Sequence, residues 1–267
     1  MIILKERLDV VLTEKGLFPS REKAKAAIMA GNVYVDGNRI DKAGTQVSFD
    51  MDFSIKDDGC AYVSRGGLKL EKAVSEFGID LNGALCMDIG ASTGGFTDCM
   101  LQNGAKTVYA VDVGYGQLDW KLRNDNRVVN MERVNIRYLD LPEIKGKLDF
   151  ISIDVSFISL KLVLPIACEL LNDTGQIVCL VKPQFEAGRS QVGKNGIVRD
   201  KGVHKNVIVN VIGYGEDNKI YPHGLTYSPI TGAKGNIEYF LLFNKACNEI
   251  NEEKISQIVD NSHLGLS

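Results

Sequence analysis

An alternation of apolar runs and helical segments dominates the sequence from Leu85 onward. Short apolar runs alternate with segments whose apolar residues recur every three or four positions, the spacing of an amphipathic helix. Parallel strands need crossover helices that cover both faces of the sheet, so this order predicts an α/β fold with a doubly wound, mostly parallel sheet. The predicted strands occupy 85–90, 106–112, 127–132, 148–156, 176–183 and 237–243.

The first 60 residues follow a different pattern. Apolar residues spaced from Leu4 to Leu12 predict one helix, and Ser20 is a good cap for a second helix that Gly31 closes. Two short alternating runs, NVYVDG and TQVSF, then predict small strands. We therefore expect a small N-terminal α+β domain over residues 1–60.

A connector at 61–63 leads into a helix predicted over 64–78, which opens the larger domain. We expect this domain to span 64–245. The polar residues 246–267 then form a C-terminal tail that frays or packs as a short helix.

Composition limits the class of protein. The formal net charge of the 267 residues is −3, which argues against a uniformly basic surface but allows a local basic face. No apolar run reaches the roughly 18 residues that a membrane helix needs, and the N-terminus lacks a signal-peptide core. Six cysteines without a C-x-x-C pair, together with only three histidines, predict no metal site. We expect a cytoplasmic protein.

A glycine-rich turn follows the first strand of the larger domain. Ligands of open α/β sheets bind at the carboxyl ends of the strands, where glycines let the backbone approach closely. Ser92 stands where the dinucleotide fingerprint needs its second glycine, which disfavours NAD. Asp112 ends the second strand, 22 residues after Gly90, where its carboxylate can accept hydrogen bonds from an adenosine ribose.

Asp88 adds a negative charge near this turn, which a cationic sulfonium tolerates and a pyrophosphate does not. The combination favours S-adenosylmethionine as the cofactor. The expected cofactor-binding residues are Asp88, Gly90, Ala91, Ser92, Thr93, Gly94, Gly95, Phe96, Asp112, Val113 and Asp154.

Charged residues mark the ends of further strands. Asp154 ends the fourth strand and Lys182 the fifth, whereas Glu238 begins the last strand, which we expect to run antiparallel so that its start reaches the same edge. Lys69 lies on the helix before the first strand. A lysine removes a proton from a hydroxyl only when it is neutral, and its ordinary pKa is about 10.4. Burial and Lys69 should lower the pKa of Lys182, whereas Asp154 and Glu238 should raise it. The sequence does not decide the direction of the net shift.

Five segments make the sequence resemble the TlyA family from about residue 4 to 243: DIGASTGGFTDC, VDVGYGQLDWKLRND, DVSFISL, VKPQFE and GNIEYFL. This family contains haemolysin-A-like ribosomal RNA 2′-O-methyltransferases related to the FtsJ-type ribose methyltransferases. Within the first 60 residues, SREKAKAAIMAGNVYVDG resembles the alpha-L RNA-binding module of the small-subunit ribosomal protein S-four type.

The resemblance implies a Rossmann-like class I methyltransferase fold that uses S-adenosyl-L-methionine. It implies a cytidine ribose of ribosomal RNA in assembled ribosomal subunits as the substrate. The implied catalytic set is Lys69, Asp154, Lys182 and Glu238, with Lys182 closest to proton removal. The expected RNA-binding residues are Arg7, Arg21, Lys23, Lys25, Lys42 and Arg65.

Two further readings remain as alternatives to an enzyme. The haemolysin label of the family suggests a membrane-active protein, although the sequence has neither a spanning segment nor a long basic amphipathic helix with an aromatic face. A catalytically silent RNA-binding protein would keep the fold without turnover, and the complete set of four charged residues argues against it. The sequence leaves the oligomeric state open.

Overall fold

A computed structural model describes residues 5–55, 61–139, 142 and 144–266. Leu4, part of the first predicted helix, and the predicted domain boundary at residue 60 lie outside these residues. Residues 5–55 form two helices and five short strands. They are β1 (Lys5–Arg7), α1 (Leu8–Glu14), α2 (Arg21–Ala30), β2 (Val33–Val35), β3 (Asn38–Arg39), β4 (Gln46–Ser48) and β5 (Phe53–Ile55).

Local sequence signals define the second helix of this N-terminal part. The Ser20 side chain accepts a hydrogen bond from the backbone N–H of Lys23 at 3.3 Å, as a helix cap should. Gly31 ends α2 in the left-handed conformation, with φ of 81°. Strands β3, β2 and β5 form one small antiparallel sheet, and β1 pairs with β4. The core beneath them contains Leu8, Val11, Leu12, Ala24, Ile28, Val33, Val35, Ala43 and Val47.

The larger part begins with α3 (Gly66–Phe77) and then alternates strands with helices. Its remaining elements are β6 (Leu85–Ile89), α4 (Gly95–Gln102), β7 (Thr107–Asp112), α5 (Trp120–Arg123), β8 (Val128–Glu132), β9 (Leu148–Ile153), α6 (Leu164–Leu170), β10 (Leu171–Val181), α7 (Pro183–Glu186), α8 (Lys201–Asp217), β11 (Tyr221–Tyr227), β12 (Tyr239–Asn244) and α9 (Glu252–Gly265).

The strands of the larger part form a seven-stranded sheet in the order β11-β12-β10-β9-β6-β7-β8. Strands β10, β9, β6, β7 and β8 are mutually parallel, whereas β12 runs antiparallel to β10. The predicted doubly wound α/β fold with an antiparallel last strand is therefore confirmed. Strand β11 was not predicted, and it pairs antiparallel with β12 at the edge of the sheet.

Apolar side chains cover both faces of this sheet. Ile151 and Leu241 belong to the cluster on one face, and Phe150 and Val178 to the cluster on the other. The C-terminal residues extend this core, because α9 buries Ile255, Val259 and Ser262 and packs against α8 and β11. Among the described residues, every helix is too short or too polar to traverse a lipid bilayer.

Candidate functional site

Four charged side chains meet at the edge of the sheet where the parallel strands end. Asp154 follows β9, Lys182 follows β10, and Glu238 precedes the antiparallel β12. Lys69 reaches them from α3 and donates a hydrogen bond to Glu238 Oε2 at 2.6 Å. Lys182 Nζ lies 2.5 Å from Asp154 Oδ1 and donates to Ser156 Oγ at 3.0 Å. The structure thus brings the four residues together as two ion pairs.

The structure shows in which direction the surroundings of Lys182 shift its pKa, which the sequence left open. Burial is the largest single influence and lowers the pKa of Lys182, but the charges of Asp154 and Glu238 and the hydrogen bond to Asp154 outweigh it. The pKa of Lys182 is therefore raised above its ordinary value. Burial raises the pKa of Asp154 in turn, and Lys182 and Lys69 overcome this effect and lower it. With no ligand bound, Lys182 carries a proton at neutral pH.

The predicted glycine-rich turn lies against Asp154. Gly90, Ser92 and Gly94 have positive φ values of 90°, 49° and 97°. A Cβ on Gly90 would collide with the carbonyl oxygen of Asp154, and the Asp154 N–H donates to Ile89 O at 2.9 Å. Only glycine permits this approach, because any other residue would place a side chain inside the neighbouring strand end.

Asp112 closes the other side of the turn. Its Oδ2 accepts a hydrogen bond from Ser92 N–H at 2.8 Å, and its Oδ1 accepts one from Gly114 N–H at 2.6 Å. Each carboxylate oxygen can accept a second hydrogen bond, so the side chain keeps acceptor capacity for a ligand. Asp112 and Val113 both line the neighbouring cavity.

Two cavities flank the meeting point of Gly90 and Asp154. The first, of about 480 Å³, has mostly apolar walls that include Ile89, Val111 and Ile158. The second, of about 530 Å³, contains the expected residues Ala91, Ser92, Thr93, Gly95, Phe96, Arg65 and Lys69. Gly90, Ser92 and Asp154 belong to both cavities, so a ligand in the first can meet a ligand in the second beside Asp154.

Two predicted cofactor-binding residues do not line either cavity. Asp88 is wholly buried below the turn, where Thr97 Oγ1 donates to its Oδ2 at 2.7 Å and Ser152 Oγ donates to its Oδ1 at 3.1 Å. Burial raises the pKa of Asp88 to about 7, so its charge at neutral pH is incomplete. Asp88 thus lies beneath the turn and not on a cavity wall, and its part in cofactor binding stays a prediction. A Cβ on Gly94 would instead meet Leu118 and Leu122, which shows that Gly94 serves packing.

The predicted RNA-binding residues fall into two groups. Arg7 and Arg21 both form ion pairs with the buried carboxylate of Asp9. Lys23, Lys25 and Lys42 are exposed on α2 and on the loop before β4, and Arg65 lines the second cavity. The N-terminal part also contributes Met29, Arg39 and Asp41 to the wall of that cavity, which the sequence did not indicate.

Sequence reasoning also missed the contacts that hold the loop after β9. Glu186 Oε2 accepts a hydrogen bond from Ser159 Oγ at 2.7 Å, and its Oε1 accepts one from Leu160 N–H at 2.8 Å. The rings of Phe157 and Phe185 lie 4.9 Å apart. Helix α7, which starts directly after Lys182, therefore braces the loop that carries Asp154. Phe185 and Glu186 both belong to the segment VKPQFE, in which the sequence analysis singled out only Lys182.

Comparisons with known proteins agree with this architecture. The family model of the FtsJ-like methyltransferases matches residues 62–245, and that of the S4 domain matches residues 6–53. The Bacillus subtilis protein YqxC is 52% identical, over 98% of this chain and 95% of that protein. The 16S/23S rRNA (cytidine-2′-O)-methyltransferase TlyA of Mycobacterium tuberculosis is 44% identical over 88% of each chain.

A solved structure from Streptococcus thermophilus, which carries the name hemolysin, is 47% identical and superposes with a TM-score of 0.77. The superposition covers 98% of this chain and 97% of that one. The chain thus belongs to the FtsJ-like methyltransferase family, in the TlyA and hemolysin A branch that joins an S4 domain to the methyltransferase unit.

Proposed function

We propose that the protein transfers a methyl group from S-adenosyl-L-methionine to the ribose 2′-hydroxyl of a cytidine in ribosomal RNA. One observation carries this proposal: the two cavities meet beside Asp154, next to the amine of Lys182. A methyl donor and an acceptor hydroxyl can therefore lie on either side of one lysine–carboxylate pair. The names of the relatives supply the cytidine, the 2′-oxygen and the ribosomal RNA.

The residues of the first cavity fit the cofactor. Asp112 offers carboxylate oxygens to the two ribose hydroxyls, and the apolar walls suit an adenine ring. The backbone of the glycine-rich turn allows close approach of the amino-acid end. When bound, S-adenosyl-L-methionine supplies an electrophilic methyl group on a positively charged sulfur.

We assign proton removal to Lys182 and positioning to the other three charged residues. Lys182 holds a proton in the ligand-free protein, so it must pass that proton to solvent water before its neutral amine can accept the one from the hydroxyl. A positively charged sulfur beside the amine of Lys182 would lower the pKa of this lysine, because like charges disfavour each other. Asp154 then fixes the direction of the amine, and Lys69 balances the charge of Glu238.

We propose that the RNA reaches the second cavity by way of the S4 domain. Arg7, Arg21, Lys23, Lys25 and Lys42 give this domain a basic surface, and Arg65 stands at the wall of the cavity. The family-model boundaries support the division into residues 1–60, a linker at 61–63, a methyltransferase unit at 64–245 and a tail at 246–267. We propose assembled ribosomal subunits as the physiological substrate.

The test is methyl transfer from labelled S-adenosyl-L-methionine to ribosomal subunits that lack the modification. Methylation of the 2′-oxygen protects the adjacent phosphodiester from alkali, so the label should appear in alkali-resistant dinucleotides. Lys182→Ala should slow transfer by about 10² to 10⁴-fold, the usual contribution of a general base, while cofactor affinity changes little.

Lys245→Ala is a matched control, because Lys245 is hydrogen-bonded to Leu171 O at the opposite end of β10 and should not affect transfer. Label on a base, or no label in RNA, contradicts the proposed reaction. A wild-type rate for Lys182→Ala contradicts only the role of this residue.

A further inference from the structure

A buried carboxylate lies between two arginines of the S4 domain. Asp9 is only 3% exposed, in the first turn of α1. Arg7 donates to both of its oxygens, from Nε to Oδ1 at 2.9 Å and from Nη2 to Oδ2 at 3.0 Å. Arg21, on α2, donates from Nη2 to the same Oδ2 at 3.2 Å. One carboxylate thus holds two guanidinium groups from different elements side by side.

Both guanidinium groups keep donors for a ligand. The side chain of Arg7 is 44% exposed and that of Arg21 is 54% exposed. A guanidinium has five N–H donors, and Asp9 uses two from Arg7 and one from Arg21. Asp9 also cancels only one of the two positive charges, so the trio retains one positive charge at the surface.

The loop before β4, which carries another basic residue, lies next to the start of α1. Leu8 N–H donates to Thr45 O at 2.8 Å and Asp9 N–H donates to Ala43 O at 3.2 Å, so this loop lies against the start of α1. The Arg7 side chain lies over this loop, because a Cβ on Gly44 would come within 3.1 Å of Arg7 Nη1. The exposed Lys42 belongs to this loop.

We propose that Asp9 is a positioning residue that builds a phosphate-binding site by holding Arg7 and Arg21 ready for the RNA backbone. The inference rests on the proposed function and identifies a ligand group for the S4 domain. Guanidinium groups recognise phosphate oxygens with two parallel hydrogen bonds. An arginine that is already held in place loses less side-chain entropy when RNA binds, and this preorganisation raises affinity.

Asp9 remains ionised under physiological conditions, as this arrangement requires. Burial is the largest influence and raises the pKa of Asp9, but the hydrogen bonds and charges of Arg7 and Arg21 outweigh it. The pKa of Asp9 is therefore lower than that of an ordinary aspartate. Its negative charge thus persists at neutral pH beside the polyanion that the domain is proposed to bind.

The expected effect of replacing Asp9 on RNA affinity is opposite to the effect that net charge alone predicts. Removing an acid from an RNA-binding face should strengthen binding if only net charge mattered. Asp9→Asn should instead weaken binding about tenfold, because an amide cannot hold both guanidinium groups. The probes are a 20-nucleotide oligocytidylate and unmodified ribosomal subunits, with the dissociation constant measured at several salt concentrations. The slope of log affinity against log salt should shrink by about 0.7 for the oligonucleotide if one phosphate contact is lost.

Glu22→Gln is the matched control, because it makes the same charge change at an exposed residue beside Arg21. Its affinity should equal or exceed that of the wild type. In a double-mutant cycle, Asp9→Asn should add little to the loss caused by Arg7→Ala, since both remove the same arrangement. Thermal unfolding reports whether the domain stays folded. If Asp9→Asn unfolds it, Arg7→Lys keeps the charge, cannot span both carboxylate oxygens, and should show the same loss.

Wild-type affinity or tighter binding in a folded Asp9→Asn protein would overturn the inference and leave the proposed function intact. Failure of the wild type to bind either RNA would overturn both. Weaker binding in Asp9→Asn together with normal binding in Glu22→Gln supports the positioning role.

Discussion

Replacing Asp88 with asparagine should change how the stability of the protein depends on pH. The carboxylate is wholly buried, and within the described part of the chain its side-chain hydrogen-bond donors are the hydroxyls of Thr97 and Ser152. Burial raises its pKa to about 7, although both hydroxyls oppose the shift. Asparagine has nearly the same shape and does not titrate, so the substitution isolates the cost of burying the charge.

The sign follows from the protons bound in each state. An unfolded aspartate has a pKa of about 3.9, so between about pH 4 and pH 7 the folded protein holds a proton that the unfolded chain has lost. Stability therefore falls as the pH rises through this window and levels off above it. From pH 5 to pH 8, the loss due to Asp88 amounts to about 2.5 kcal/mol. The asparagine variant should lack this loss.

Urea unfolding followed by circular dichroism at pH 5, 6, 7 and 8 measures the effect in both proteins. The free energy of unfolding of Asp88→Asn minus that of the wild type should increase by about 2.5 kcal/mol across this range, whatever constant offset the amide introduces. Asp173→Asn is a control for the same substitution at the surface, because the Asp173 side chain is 98% exposed. Parallel curves for Asp88→Asn would refute the argument.

Two further substitutions test the cofactor cavity and the brace behind Asp154. Asp112→Ala should weaken S-adenosyl-L-methionine binding at least tenfold in calorimetry. The substitution removes the acceptor for the ribose hydroxyls and leaves the N–H groups of Ser92 and Gly114 without the carboxylate that they contact. Unchanged affinity would exclude the assigned role. Glu186→Ala should slow methyl transfer about tenfold at saturating cofactor, since the loop after β9 loses two hydrogen bonds. Glu186→Gln can still accept the hydrogen bond from Leu160 N–H and should retain most of the rate. Equal rates in the wild type and both variants would show that Glu186 does not support the loop that carries Asp154.

The parallel core of the fold was predictable because its strands are continuous apolar runs between helical segments. Strand β11 was missed because Pro222 and Gly224 interrupt its sequence. Both residues are tolerated at this position in the sheet. The strand lies at an edge, where a missing backbone donor costs little, and its pairing with β12 shifts between Pro222 and Gly224.

The gathering of charged residues at one edge could be inferred from topology, because the ends of parallel strands share an edge. The direction in which their charges shift the pKa of Lys182 could not be inferred. It depends on the distances from Lys182 to Asp154 and Glu238, which the spacing of residues in the sequence does not give. Asp88 shows the same limit. It lies one residue before the end of β6, and its position beneath the turn depends on contacts with Thr97 and Ser152, which come from other elements.

The collision that any side chain on Gly90 would make with Asp154 has a mechanical consequence. The glycine-rich turn and the segment that carries Asp154 are in close backbone contact, and the Asp154 N–H donates a hydrogen bond to Ile89 O at the start of the turn. We therefore expect a displacement of the turn to be felt at Asp154 and at Lys182, which is paired with it. If the cofactor and the RNA bind on the two sides of this contact as proposed, binding of the first should affect how the second is aligned.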